Sequence, residues 1–237
     1  MQEFIAGTSG VLIYFVVAAS VALLSRHFFK IPDEIFRKIL HCILLASFLF
    51  FVFGFKTWWM AVVLAVAFAV VVYPILAFFE RFKGFSELTT ERKAGELKES
   101  LLLVFGMFAV VATICWGWLG DKYLVLAAIY AWGLGDAAAA LIGKYFGKHK
   151  ITFKYLDGKK SVEGSTAMFV TSFVSVAVLL ICRGNMTVAG YILIPMIVAL
   201  ASTVAELYSK NGLDTVICPL SVMVVLLPLV YIFGGIL

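Results

Sequence analysis

Charged residues are scarce in this sequence, and their scarcity sets the class of protein. Only 14% of the 237 residues are charged, 63% are hydrophobic, and the mean hydropathy is +1.06. A water-soluble chain of this length cannot cover so much apolar surface, and the 15% of aromatic residues exclude a disordered chain. A lipid bilayer is therefore the predicted solvent for most of the protein.

The sequence also has few cysteines and lacks the common nucleotide-binding motifs. The four cysteines, Cys42, Cys115, Cys182 and Cys218, are scattered through apolar segments without a C-x-x-C spacing. This pattern argues against a zinc site and a disulfide framework, and it predicts small buried hydrophobic side chains. Neither G-x-x-x-x-G-K-S/T nor G-x-G-x-x-G occurs, so a Walker A loop and a Rossmann fingerprint are both excluded.

Eight apolar stretches remain when charged residues are used as boundaries, and each approaches the roughly 20 residues that a membrane-spanning helix needs. The predicted spans are residues 4–25, 39–55, 57–79, 101–120, 123–143, 166–182, 187–207 and 216–237. No positive charge precedes the first span, so we do not expect it to be a cleavable signal peptide. The predicted fold is an all-α, polytopic integral membrane protein in which residues 1–237 form a single transmembrane domain.

The distribution of Lys and Arg predicts the orientation in the membrane. Sixteen of the 19 cations fall in alternate connections, and only Lys56, Lys122 and Arg183 fall on the other side. Under the positive-inside rule, both termini lie outside and the long polar loops are cytoplasmic. Aromatic residues lie within the apolar spans rather than among the basic residues, so no nucleic-acid partner is expected.

Two polar stretches border the spans of the first half. Arg37 and His41 are four residues apart and share a helix face at the membrane boundary. They fit either a snorkelling cation with an interfacial histidine, which the pattern alone favours, or a cationic clamp for phosphate. Before the fourth span, Arg92 and Glu96 are spaced to form an i,i+4 pair on a solvated helix, with or without a functional role.

The fifth span contains a carboxylate and a face of small residues. Asp136 lies seven residues before the end of this span, roughly 10 Å deep at about 1.5 Å per residue. A carboxylate at such a depth costs about 2–3 kcal/mol unless it is paired or hydrated. The small residues that recur every four positions are Gly135, Ala139, Gly143 and Gly147. They predict close approach of a second helix or a ligand, and Lys144 and Lys148 follow Asp136 on the neighbouring face.

Two further segments add polar residues near the same predicted membrane face. Residues 157–165 read Asp-Gly-Lys-Lys-Ser-Val-Glu-Gly-Ser, which combines a turn, two cations, a carboxylate and small residues. Glu206 lies inside the seventh span, and Asp214 opens the eighth. With Asp136, these carboxylates and cations fit magnesium and a polyphosphate; taken singly, they fit interfacial caps and a cationic surface loop.

Together these segments resemble the membrane CTP-dependent lipid-alcohol kinases. This family includes dolichol kinase, phytol and farnesol kinase and yeast-type diacylglycerol kinase, and it is distantly related to the phosphatidate cytidylyltransferases. The resemblance runs from about Arg37 to Pro219. Its most specific part is a Gly-Asp-x-x-Ala signature at 135–139, followed by spaced glycines and by Lys-x-x-Glu-Gly-Ser at 160–165. The stretches around 37–41, 92–96 and 206–214 resemble the weaker motifs of the family.

The resemblance implies which residues form the site. Nucleotide binding is expected from Arg37, His41, Arg92, Glu96, Gly135, Gly143, Lys144, Gly147, Lys159, Ser161 and Gly164. Catalysis is expected from Asp136, Lys160, Glu163, Glu206 and Asp214. Magnesium is expected at Asp136, Glu206 and Asp214. One carboxylate would accept the proton of the substrate hydroxyl, and the spacing leaves open which one.

The implied activity is transfer of the terminal phosphoryl group of CTP, or of another nucleoside triphosphate, to a long-chain lipid alcohol. The alcohol would be of the polyprenol, phytol, farnesol or diacylglycerol type. Likeness to the compact phytol-kinase-like members and the lack of a transit peptide imply a prokaryotic plasma membrane, with the active site facing the cytoplasm. Two alternatives remain open: a CDP-lipid synthase that attacks the α-phosphorus, and a transporter, which would also keep charges within its spans.

Overall fold

The structure, a computed structural model, describes residues 2–81, 95–152, 160–209 and 212–234. Within these ranges, eight helices are long and apolar enough to cross a membrane, which confirms the predicted all-α polytopic membrane fold. The helices are α1 (Gln2–Phe28), α2 (Asp33–Phe53), α3 (Trp58–Phe79), α4 (Glu96–Ala112), α5 (Lys122–Tyr145), α6 (Val162–Arg183), α7 (Val188–Tyr208) and α8 (Asp214–Gly234). α4 continues into a π-helical segment, Thr113–Trp118.

Several helices begin earlier than the predicted spans, because polar first turns extend them beyond the apolar run. α2 begins at Asp33 rather than residue 39, directly after Pro32, and its first turn carries Asp33 and Glu34. Carboxylates in a first turn interact favourably with the helix dipole. α6 begins at Val162 rather than residue 166, because the Ser161 hydroxyl caps it by accepting from the Gly164 amide. Candidate residues expected near helix ends therefore lie on the helices themselves.

The first compact unit, Met1–Thr113, contains α1 to α4. α1 packs on α2, and α3 packs on α4. Aromatic rings of α2 and α4 fill the core: Phe48 and Phe108 stack with ring centroids 4.7 Å apart, and Phe51 tilts against Phe105 and Phe108. All four rings are fully buried. Aromatic contacts of this kind contribute about 0.5–1.5 kcal/mol each beyond the area that they bury.

The second compact unit, Ile114–Leu237, is built around α5. α5 packs on α6, α7 and α8, and residues 124–128 have no exposed surface. A helix that is apolar around its whole circumference belongs in the interior of a bundle. Asp121 caps its first turn by accepting from the Tyr123 and Leu124 amides, at 2.9 and 3.3 Å. The predicted single domain over residues 1–237 stays a prediction.

Contacts between connections identify which loops share an end of each unit. In the first unit, the Lys56 amide donates to Glu3 Oε1 at 2.7 Å, so the start of α1 adjoins the α2–α3 connection. In the second, Arg183 pairs with Asp121, which joins the connections before α5 and after α6. Both contacts are consistent with consecutive helices that cross the membrane in opposite directions, as the sequence predicts. Which end faces the cytoplasm stays a prediction.

Two of the four cysteines depart from the predicted burial. Cys115 and Cys218 are buried as predicted, but Cys42 and Cys182 are exposed on the surfaces of α2 and α6. An apolar thiol loses little on a surface that contacts hydrocarbon instead of water, so a spanning helix has no need to bury it. The prediction was wrong for these two because it applied the burial preference of soluble proteins.

Candidate active site

Charged side chains from three helices and one connection lie together at one end of the second unit. Asp136 is half-buried on α5, Glu206 is buried near the end of α7, and Asp214 is half-buried as the first residue of α8. The charges of Asp136, Asp214 and Lys160 all act on the Glu206 carboxylate. The same four groups act on the buried thiol of Cys218. We call Asp136, Lys160, Glu206 and Asp214 the charged cluster.

Lys160 and Glu206 form the direct contact of this cluster. The Lys160 ammonium donates to Glu206 Oε1 and to the Glu206 backbone carbonyl. That carbonyl also accepts from the Ser209 hydroxyl at 2.9 Å. Only 7% of Glu206 is exposed, and a buried carboxylate without a partner is strongly destabilising. Lys160 therefore compensates the burial of Glu206 and brings the connection before α6 onto the end of α7.

The chemistry of the cluster fits a hard cation. Carboxylate oxygens are the ligands that magnesium prefers, and Asp136, Glu206 and Asp214 bring three carboxylates to the charged cluster. Within the described residues, however, no group of three or more His, Cys, Asp or Glu side chains is arranged to hold a metal ion. Magnesium commonly uses only one or two carboxylates and completes its shell with water and phosphate oxygens. The charged cluster fits that mode, and the predicted three-carboxylate magnesium site stays a prediction.

A short antiparallel bridge holds Lys160 in place. Lys150 and Ser161 form the bridge, in which the Ile151 amide donates to the Lys160 carbonyl and the Val162 amide to the His149 carbonyl, both at 2.9 Å. These bonds join the residues after α5 to the start of α6. The backbone of Lys160 is therefore anchored on the side facing His149 and Ile151, while its side chain reaches α7.

The face of small residues on α5 packs against α6. A Cβ atom at Gly135 would lie 2.6 Å from the Ser172 hydroxyl, and one at Gly147 would lie 2.6 Å from the Ser161 hydroxyl. From α6, a Cβ at Gly164 would lie 2.9 Å from the Ala139 carbonyl. Of the two partners that the sequence left open for this face, the structure places a helix there. Nucleotide contact through Gly135, Gly143, Gly147 and Gly164 stays a prediction.

A second group of charges lies in the first unit, between α2 and α4. Arg37 donates to Glu34 Oε1 at 2.6 Å and to Glu96 Oε1 at 3.4 Å. Glu34 and Lys38 are buried, and His41 is half-buried one turn further along α2. The guanidinium thus bridges two helices. Both terminal nitrogens of Arg37 donate to carboxylates, and the predicted phosphate clamp stays a prediction.

A further ion pair of the first unit was not predicted. Lys98 Nζ lies 2.5 Å from Glu80 Oε2 and over the Tyr73 ring, 5.8 Å from its centroid. It joins the end of α3 to the first turn of α4. The pair orders the N-terminal turns of α4, on which Glu96 also lies.

The other predicted residues fall into three groups. Glu163 does not join the charged cluster, because its carboxylate accepts from the backbone and ring of His149. Lys144 lies in the last turn of α5 and is exposed, and α5 ends before Lys148, so the predicted helical face stops at Lys144. Arg92 and Lys159 lie outside the described residues.

Sequence reasoning missed Glu34 and His149. Glu34 had a detectable signal, because it precedes Arg37 by three residues on one helix. His149 had none, because its partner lies 14 residues away across a connection. A long-range pair of this kind has no periodicity to reveal it.

Comparison with known proteins supports the resemblance to lipid-alcohol kinases. No family model matches the chain, and no solved structure matches it. The chain is 29% identical over 208 residues to a phytol kinase of Synechocystis sp., covering 80% of this chain and 76% of that protein. It is also 28% identical over 160 residues to a probable chloroplastic phytol kinase of Triticum aestivum. That match covers 63% of this chain and half the length of the wheat protein.

Proposed function

We propose that this integral membrane protein is a lipid-alcohol kinase, which transfers the terminal phosphoryl group of CTP or another nucleoside triphosphate to a lipid hydroxyl. The observation that carries the proposal is the charged cluster at one end of α5, α7 and α8, in a chain similar to two phytol kinases over most of its length. An alcohol of the phytol or polyprenol type is the proposed substrate, and the cytoplasmic face of a prokaryotic plasma membrane is the proposed location.

Phosphoryl transfer requires charge neutralisation and positioning more than covalent chemistry. The Lys160 ammonium is held on α7 by Glu206, so its position is defined before a nucleotide arrives. Lys160 and the neighbouring Lys159 would balance phosphate charge. Arg37 and Glu96 in the first unit remain the proposed nucleotide-binding pair, together with His41 and Arg92.

Asp136 is the proposed principal magnesium ligand, with Glu206 or Asp214 as a second. A magnesium ion bound there would neutralise charge on the transferred phosphoryl group. Asp136 lies on the most buried helix of its unit, where a carboxylate has little exposure to water. Its negative charge would therefore attract a cation more strongly than a surface carboxylate does.

The lipid substrate would reach the charged cluster from the membrane. A long-chain alcohol dissolves in the bilayer and places its hydroxyl at the interface, the level at which helices and polar connections meet. Asp214 begins α8 and Glu206 lies in the last turn of α7, so these two carboxylates would lie at that level, with Asp136 deeper on α5. The lipid chain would remain among the apolar helices during the reaction.

Position-specific labelling tests the proposal directly. The purified protein is incubated with phytol, a polyprenol, diacylglycerol or phosphatidic acid, with magnesium and CTP labelled at either the α or the γ phosphorus. We expect label in an alcohol from γ-labelled CTP only, with release of CDP and no transfer after chelation of magnesium.

Other outcomes identify the alternatives. Label from α-labelled CTP in a lipid, with release of pyrophosphate, would indicate a CDP-lipid synthase. Failure to transfer to any lipid with CTP, ATP, GTP or UTP would contradict the kinase and favour a transporter.

A further inference from the structure

His149 and Glu163 form a carboxylate–imidazole pair at the start of α6. The ring Nδ1 of His149 lies 2.6 Å from Glu163 Oε1. The backbone amide of His149 donates to both carboxylate oxygens, at 3.2 and 3.3 Å. The same carboxylate therefore holds the residue by its main chain and its ring. The backbone contacts fix the position of the residue, and the Nδ1 contact orients the imidazole.

This contact assigns the two ring nitrogens. An ionised carboxylate only accepts hydrogen bonds, so Nδ1 carries the hydrogen that Glu163 receives. In the neutral ring, Nε2 then holds the free lone pair. The side chain of His149 is 79% exposed and that of Glu163 only 26%, so the ring extends from its anchor into the surroundings. The pair presents a proton acceptor at a defined position.

The bridge between Lys150 and Ser161 ties this pair to the charged cluster. His149 accepts from the Val162 amide, and Lys160, two residues before Val162, extends to Glu206. His149 also lies four residues beyond the end of α5. It is thus at the boundary of a membrane-spanning helix, where the hydroxyl of a membrane-dissolved alcohol is exposed.

We propose that His149 is the catalytic base of this site and that Glu163 is its positioning residue. This inference rests on the proposed kinase function and deepens it. His149 Nε2 removes the proton of the lipid hydroxyl as its oxygen attacks the γ-phosphorus. The bond from that phosphorus to the β–γ bridging oxygen breaks, and the nucleoside diphosphate leaves with the electron pair. The protonated ring releases its proton to water through its exposed edge.

The roles of the neighbouring charged groups favour His149 for this step. Glu206 is engaged by Lys160, and Glu163 faces the ring of His149 itself. Among the described contacts, the His149 ring meets the Glu163 carboxylate of α6, and Lys148 and Lys150 are its neighbours along the chain. A neutral imidazole held by one carboxylate can accept a proton without adding negative charge near the phosphates.

Kinetics of two variants test the assignment with the purified full-length chain, phytol and γ-labelled CTP. In His149→Gln, we expect kcat to fall by on the order of 100-fold or more, with KM for CTP within about threefold of wild type. His27→Gln, which changes an exposed histidine of α1, serves as the matched control and should keep wild-type kcat. Glu163→Ala should lower kcat by about tenfold, because the base remains but loses the acceptor that orients it.

The pH profile separates a base from a phosphate ligand. Wild-type kcat should fall as the pH is lowered, because a protonated imidazole accepts no proton, and His149→Gln should lose that dependence. Unchanged kcat in His149→Gln with an active wild type would overturn this inference alone. A raised KM for CTP at unchanged kcat would overturn it in favour of a phosphate-binding histidine. A wild type without any transfer would overturn the proposed function and the inference together.

Discussion

At the scale of single residues, Asp136 is an unusual side chain for its helix. Its helix is buried and apolar over most of its length, and a carboxylate at that depth lowers rather than raises stability. The Glu206 carboxylate is buried as well, and the ammonium of Lys160 compensates its burial. A carboxylate on an apolar membrane-spanning helix is therefore a candidate for a functional role.

Asp136→Asn should separate chemistry from folding. We expect kcat to fall by on the order of 100-fold or more, because the amide keeps the size but loses the charge that attracts magnesium. The melting temperature without nucleotide should stay within about 2 °C of wild type or rise. Asp33→Asn, at an exposed carboxylate of α2, is the matched control and should retain turnover. Near-normal turnover of Asp136→Asn would remove this residue from the site.

The Lys160 and Glu206 pair should show coupled stability. Lys160→Met leaves a buried carboxylate without its partner and should lower the free energy of unfolding by about 1–3 kcal/mol. Adding Glu206→Gln should restore most of that loss, because the unpaired charge is gone. Neither Lys160→Met nor the double variant should reach the kinase turnover of wild type. A Lys160→Met variant as stable as wild type, measured by thermal unfolding in one detergent, would show that the contact is not energetically significant.

At the scale of elements, the backbones of α5 and α6 approach each other closely. It depends on positions without side chains, because Gly164 and Gly143 bring the two backbones together beside Ser161. The Ser172 and Ser202 hydroxyls both donate to the Ala131 carbonyl, at 2.5 and 3.3 Å, which ties α6 and α7 to α5 just before Asp136. Backbone proximity and buried hydrogen bonds therefore position the helix that carries the proposed metal ligand.

Gly164→Ala should weaken this contact. The added Cβ would lie 2.9 Å from the Ala139 carbonyl and 3.2 Å from Gly143 Cα, both backbone atoms of α5. We expect a loss of about 1–3 kcal/mol in the free energy of unfolding, as overpacking commonly produces. Gly106→Ala in α4 meets no atom within 4 Å and should keep or raise stability by up to about 1 kcal/mol. If both variants have wild-type stability, the α5–α6 distance is not limited by this glycine.

At the scale of the whole molecule, charge asymmetry is the property that orients the chain. Sixteen of the 19 Lys and Arg residues fall in alternate connections, and contacts within each unit place alternate connections at common ends. A nucleotide made in the cytosol can reach the charged cluster only if the Lys-rich end faces inward. Orientation is therefore a requirement of the proposed function as well as of the positive-inside rule.

Cysteine accessibility should reveal this orientation. In a variant without the four native cysteines, a membrane-impermeant thiol reagent added to intact cells should label Gln2→Cys and Lys56→Cys. Lys148→Cys, at an exposed position beyond α5, should be labelled only after the membrane is permeabilised. Labelling of Lys148→Cys alone in intact cells would reverse the topology and exclude the use of cytosolic nucleotide.

The sequence by itself determined the bilayer as solvent, the eight helices and the charged residues available for chemistry. Hydropathy and span length are local properties, so they can be read from the sequence without knowledge of the fold. The ends of the helices were harder to predict from the sequence. Three helices begin on polar turns that hydropathy assigns to loops, at Asp33, Glu96 and Val162. The resemblance added the expected roles of these residues. The similarity to two phytol kinases supports a relationship to lipid-alcohol kinases, but it does not test those roles.

Only the tertiary structure decided which charges meet. Lys160 contacts Glu206 across 46 residues, and Arg37 contacts Glu96 across 59. Glu163, expected among the catalytic carboxylates, instead holds His149, which no motif had singled out. A buried charge pairs with whichever opposite charge helix packing brings within reach. That packing depends on the close approach of glycine-bearing backbones, and no local periodicity encodes it.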